Sequence, residues 1–326
     1  MQIQSTIFRG VLAVSVVVVL STGSSEVLQS QGQTQDAVLT RTPWGTPDFR
    51  GVWTNATLTP LERKPELGNK EFYTAAEVDE LQRVAVRQRI EAIPEPEDRL
   101  AVEFSPIWME AGPLSSRTSL VIGPTGRIPS LTLAAEERKA AGRNAPLTKL
   151  ADSHEDRGWS ERCLRLVTGG PPMMAFPFLP FHQIFQTPSH VVFLHEENHE
   201  IRIISLDGRP HVSRGIRLWR GDSRGYWDGD TLVVETENFN GIGGFMGSGT
   251  GLQLTERLSR VDAETVLYEF TVADPETWAE PWTAQMPLRA SAEQLYEHAC
   301  HEGNYSLPLV LNGARVQERT EKDVGR

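Results

Sequence analysis

The chain has 326 residues, 39% hydrophobic and 23% charged, enough for one large domain or two modest ones with a sizeable core. Its formal charge of -11 at pH 7, with no basic run, argues against nucleic acid and anionic membrane surfaces as partners, because both recruit Lys and Arg.

The N-terminus carries the strongest local signal. Arg9 precedes an apolar run from Gly10 to Leu20, and the small residues Ser21 to Ser25 follow. This order predicts a signal peptide over residues 1–25 and a periplasmic or secreted protein. An anchoring helix is the alternative, but the run falls short of the roughly 20 residues a span needs. No later stretch is long and apolar enough for a stable membrane span, and the sequence leaves the oligomeric state open. In an exported chain, Cys163 and Cys300 are candidates for a disulfide closing a loop of about 4–5 kcal/mol in chain-entropy terms. A catalytic thiol is the alternative.

Residues 26–42 are polar and aperiodic and predict a disordered lead-in. A single β-rich domain is expected over 43–318, and a flexible C-terminus over 319–326. PDFRGVWTN gives a short strand after Pro47. Thr74 to Glu77 has the capping-box pattern, and helical spacing continues until before Pro94. A second helix is predicted from Leu133 to Ala141 with Gly142 as its cap, and SRTSLVIGPTGRIPSLT between the helices reads as a strand.

From about residue 180 the apolar period changes from 3.6 to 2. Three short strands are broken at Pro188-Ser189 and Glu197-Asn198, two more flank Asp228-Gly229, and a hairpin turns near Asp262-Ala263-Glu264. WTAQMPLRAS and QLYEHACH close the series. The expected fold is mainly β, an antiparallel meander closed into a barrel or sandwich, with a few peripheral N-terminal helices. Trp219, Trp227, Trp278 and Trp282 read as core residues.

The segments GDSRGYWDGDTLVVETENF, LTERLSRVDAETVLYEFTVADPETW and YEHACHEGNY together resemble a family of exported bacterial proteins without an assigned activity. The resemblance runs from about Trp44 to Arg315. The WDGDTLVV hairpin and the meander after it are also similar to calycin-type barrels, the lipocalin and fatty-acid-binding architecture. That likeness implies an inner cavity for a small apolar molecule.

Two stretches concentrate chemistry. His195-Glu196-Glu197-Asn198-His199 fits H-E-x-x-H by letters, but its β-branched flanks suit a hairpin better than the helix a zinc protease requires. With Glu197-Asn198 as a two-residue turn, Glu196 and His199 become cross-strand neighbours and a candidate general base. A solvated hairpin tip is the bland reading. Arg202 points to the other face unless a bulge intervenes, and could then stabilise negative charge. In the second stretch, Glu297 to Tyr305, His301 and Glu302 form a candidate acid or orienting pair, and a structural strand is the bland reading. A divalent metal such as zinc on His195, His199, His298 and His301 is an alternative. The glycine-rich stretch from Asn240 to Gly251 lacks the dinucleotide fingerprint and reads as a loop.

The leading expectation is an exported enzyme without a redox cofactor, performing hydrolysis, elimination or isomerisation on a small, partly apolar molecule in a barrel cavity. Glu196, His199, Arg202, His301 and Glu302 would carry it. The alternatives are a non-catalytic binding barrel and a metal-dependent enzyme. All depend on the two histidine-bearing stretches meeting in space.

Overall fold

Strict alternation of burial along the last strands determines the architecture. In β8 (Thr265–Ala273) the inward residues are Val266, Tyr268, Phe270 and Val272; in β9 (Trp282–Ser291) they are Trp282, Ala284, Met286 and Leu288. The register sets Phe270 against Ala284 and Tyr268 against Met286, so large side chains face smaller or more pliable ones. A computed structural model describes residues 40–91, 109–110, 112–143, 151–164, 168–242 and 244–324, all within one unit, Val38–Arg326. The expected signal peptide and residues 26–39 of the lead-in lie outside the described residues.

Nine strands close a barrel. β1 (Gly51–Thr54) pairs with both β2 (Phe181–Gln186) and β9, and so completes the ring between chain segments far apart in sequence. β3 (His190–His195), β4 (Ile201–Ser205), β5 (Asp222–Asp228), β6 (Thr231–Glu237) and β7 (Gln253–Arg260) fill the circuit in chain order. One seam departs from the expected antiparallel pattern. β4 and β5 run parallel and pair only at Ser205 and Arg224, because residues 206–221 carry the chain back across the barrel. Gly225 permits that seam: a Cβ there would lie 2.8 Å from side-chain atoms of Ile204 and Leu206.

The inward side chains form one core cluster running from Trp53 through Phe193, Leu232 and Leu254 to Trp282. Small barrels are usually filled in this way. Trp278 and Trp282 are buried and Trp227 packs against the cluster, as expected of core residues.

Among the described residues, three α-helices lie outside the barrel. α1 (Ala75–Glu91) begins at the expected capping box, with Glu77 accepting from the Thr74 amide at 2.8 Å and Thr74 Oγ1 accepting from the Glu77 amide at 3.3 Å. α2 (Leu133–Arg143) runs through Gly142 rather than stopping there. α3 (Ser306–Val324) replaces the expected flexible tail as far as its last residue, and Arg315 ties it to the carbonyls of Ala151 and Asp152. Two other expectations are corrected. Residues 116–132 contribute isolated bridges rather than a strand, and QLYEHACH is irregular after Glu293 because a disulfide holds it away from the sheet ladder. The last two residues of the lead-in are ordered as well, since Arg41 bridges to Pro47 and Thr42 is buried.

No helix among the described residues is long and apolar enough to cross a membrane.

Candidate functional site

The turn between β3 and β4 is longer than a two-residue hairpin. The His195 amide donates to the Glu200 carbonyl at 2.8 Å, leaving Glu196 to His199 as a four-residue turn. Asn198 and His199 both take positive φ, a conformation Asn adopts more readily than most residues. The expected Glu196–His199 pair is therefore not made across strands. His199 is exposed, while the half-buried Glu196 carboxylate turns to the Phe181 amide at 3.4 Å. Burial raises the Glu196 pKa above the ordinary carboxylate range.

Glu197, not Glu196, organises this turn. It is fully buried, and its Oε2 accepts from the Thr168 amide, the Thr168 hydroxyl and the Gly169 amide, each at 2.8 Å. The segment from Thr168 to Met173 is thereby drawn onto the barrel end, and the Met173 amide donates to the Tyr268 hydroxyl inside the barrel at 3.0 Å.

The two histidine-bearing stretches do meet. The His298 amide donates to the Glu196 carbonyl at 3.3 Å, and Cys163–Cys300 is a disulfide, so neither cysteine is a free thiol. These ties bring His301 to a cleft of about 350 Å³ that also takes in Asn198 and Glu200. The opposite walls are Trp159, Leu164 and Trp219, with the indoles meeting edge to face at 5.7 Å. Trp219 is 45% exposed, so it is a surface aromatic rather than the expected core residue. Arg220 completes the cleft. It pairs with Glu200, donates to the carbonyl of Gly170, and stands 3.7 Å from Glu197 Oε1.

The cleft has no expected acid–base pair. His301 and Glu302 are exposed neighbours in an irregular turn, and the expected strand faces do not exist there. The His301 side chain makes no hydrogen bond or ion pair with another described residue. Trp159, Leu164, Glu200 and Arg220 carry no motif in the sequence, and Trp219 and Asn198 read there as core and turn residues. The only available signal was a tryptophan followed by arginine in a polar loop.

Arg202 points into the barrel without a bulge, because Phe193 and Arg202 are cross-strand partners. It forms a buried bidentate pair with Glu256, at 2.9 and 2.5 Å. Ser223 and Thr236 accept its remaining donors, and the Tyr268 hydroxyl donates to Glu256 at 2.7 Å. Burial first, then the Glu256 charge, holds the Tyr268 hydroxyl pKa well above its ordinary value. A guanidinium so fully paired braces the interior and is not available to a developing oxyanion in the cleft.

A second buried pair lies beside it. His182 and His195 share a hydrogen bond between Nδ1 atoms at 2.8 Å, and each leaves Nε2 buried without a partner among the described residues. Burial lowers both pKa values, that of His182 to about 4. The imidazoles are therefore neutral near pH 7. Among the described residues no group of three or more His, Cys, Asp or Glu side chains is arranged to hold a metal ion, so His195, His199, His298 and His301 do not form the alternative ligand set. His195 is inside the barrel, whereas His199 and His301 are exposed.

Comparison of the chain with family models, with curated proteins and with solved structures finds no match.

Proposed function

We propose that this is an exported protein that takes a small, partly apolar molecule into the cleft over the end of the barrel and acts on it by acid–base chemistry through His301. The observation that carries the reading is the convergence of the 195–200 turn with the 297–301 segment around an aromatic-walled hollow. A site of this size, apolar on one side with few polar groups on the other, is the usual form of a small-molecule site. Trp159, Leu164 and Trp219 hold the apolar body, and Asn198 and Glu200 meet its polar end. His301 is the imidazole that lines the cleft, and its ring nitrogens are the general acid–base groups of this reading.

Two observations support export. The disulfide suits an oxidising compartment, and the N-terminal sequence reads as a signal peptide. The resemblance to exported bacterial proteins points the same way.

Binding without turnover is the second reading. Two observations favour it: Glu196 and His199 do not pair across the strands, and among the described residues His301 makes no hydrogen bond with Glu302. A turnover screen on esters, lactones and terpenoid-like compounds separates the two. The catalytic reading predicts turnover that falls at least 100-fold in His301→Ala, with binding retained. Unchanged turnover removes His301 from the chemistry. Binding with no turnover of any compound selects the second reading.

A further inference from the structure

We infer that the buried His182–His195 pair is an acid-operated latch, which holds the 196–200 turn and the polar wall of the cleft in place near neutral pH and releases both on acidification. This names the regulation of the cleft and rests on the reading of that cleft as a ligand site.

The position of the pair couples it to the turn. His182 and His195 are cross-strand partners, and His195 is the last residue of β3. Its amide makes the bond to the Glu200 carbonyl that closes the turn, and Asn198 and Glu200 line the cleft. Within the turn, Asn198 and His199 both hold positive φ, a conformation that costs energy in any residue with a side chain. The turn is therefore a strained element that neighbouring contacts must keep in place. Glu197 supplies one such contact at the amides of Thr168 and Gly169.

The chemistry of the pair makes the closed state intolerant of acid. One imidazole donates its Nδ1 proton to the other, so one Nε2 is a bare acceptor and the other carries a proton. A further proton on the accepting Nδ1 would clash with the shared one. On the bare Nε2 it would create a second buried N–H without an acceptor, since neither Nε2 has a partner among the described residues. Glu197 favours a proton on His182, but burial outweighs it. Arg202 of β4 and Arg220 both disfavour a proton on His195, and Arg202 is itself bound to Glu256 beside Tyr268. Once the end of β3 opens, each imidazole meets water and regains its ordinary pKa of about 6.5. The open state then binds more protons, and acid shifts the balance toward it. Glu196 also belongs to this turn, and its carbonyl accepts from the His298 amide, so its titration needs a control.

Hydrogen exchange of the full chain at pH 7 and pH 5 tests the latch. Protection of the Thr168 and Gly169 amides should fall about tenfold or more relative to β8 amides at the lower pH. The double variant His182→Gln with His195→Gln stays neutral and should lose this difference, whereas Glu196→Gln should keep it. His182→Gln alone, which leaves one imidazole, should keep about half of it on a logarithmic scale. Benzyl alcohol affinity, read by calorimetry, should weaken from pH 7 to pH 5 more in the wild type than in the double variant. Equal protection at the two pH values, or a parallel loss at the β8 amides, overturns the latch. A difference that survives in the double variant also overturns it. A latch that opens as expected in a chain that binds no benzyl alcohol at pH 7 overturns the cleft reading alone.

Discussion

His182 Nδ1 lies 2.8 Å from His195 Nδ1 in a part of the barrel where both side chains are almost completely buried. Only one proton can occupy the space between the two nitrogens, which excludes a doubly charged pair, and burial disfavours a singly charged one. Burial holds the folded pKa values down, at about 4 for His182, against about 6.5 in an unfolded chain. The unfolded state therefore binds more protons between these values, and stability falls with pH across that window.

The first prediction follows from that sign. The unfolding free energy from urea titration should be flat above pH 7 and fall between pH 6.5 and 4, with a slope of up to about 1.4 kcal/mol per pH unit for each proton taken up. In His182→Gln the slope over this window should be roughly halved. A midpoint that rises on acidification would show that the pair is charged in the fold.

Arg202 and Glu256 are the second case. Removing one partner leaves the other charged and buried, so Arg202→Ala and Glu256→Ala should each cost about 3–5 kcal/mol in urea unfolding. The double variant Arg202→Met with Glu256→Leu should cost less than the sum. A strictly additive result would mean that the pair does not act as a unit.

Glu197 predicts a coupling between turn and cover. Glu197→Ala strands the donors of Thr168 and Gly169, and a loss of about 2–4 kcal/mol is expected from broken charge-assisted bonds. Hydrogen exchange at those two amides should accelerate in the variant more than at strand amides of β8. Unchanged protection of both amides would count against the assignment.

The Cys163–Cys300 bond spans 137 residues of sequence, for which loop-closure entropy gives about 4–5 kcal/mol. Replacing both cysteines with serine should lower stability by up to that amount. It should also free the 297–305 segment, read as higher proteolytic sensitivity near His301. A double variant with native stability and native protease resistance would show that other contacts hold the segment.

The strands were legible because their signal is local. Alternation in TVLYEFTVA and WTAQMPLRAS needs no knowledge of partners, and the capping box at Thr74 reports a helix start within four residues. α3 escaped notice although Leu307, Leu311 and Ala314 have helical spacing. Pro308 disguised it, yet a proline in the first turn removes no intrahelical donor. The site was half legible. The meeting of the two histidine stretches is assumed in the sequence reading and the β3–β4 register follows from it, but the turn is two residues longer, because Glu197 is anchored by a segment about 30 residues away. Arg202 stands out in the sequence, but its partner Glu256 lies across the barrel and no spacing rule connects them. Trp219 reads as core in the sequence because tryptophan usually lies there, whereas its exposure on the cleft wall depends on the disulfide-held segment beside it.

The central claim is that the cleft walled by Trp159 and Trp219 is where a small molecule binds. Soaking crystals with a library of ring-bearing fragments tests it most directly. The account predicts that the fragments cluster against Trp219, within contact of Glu200 and His301. Fragments that bind repeatedly elsewhere and leave this cleft empty would contradict it.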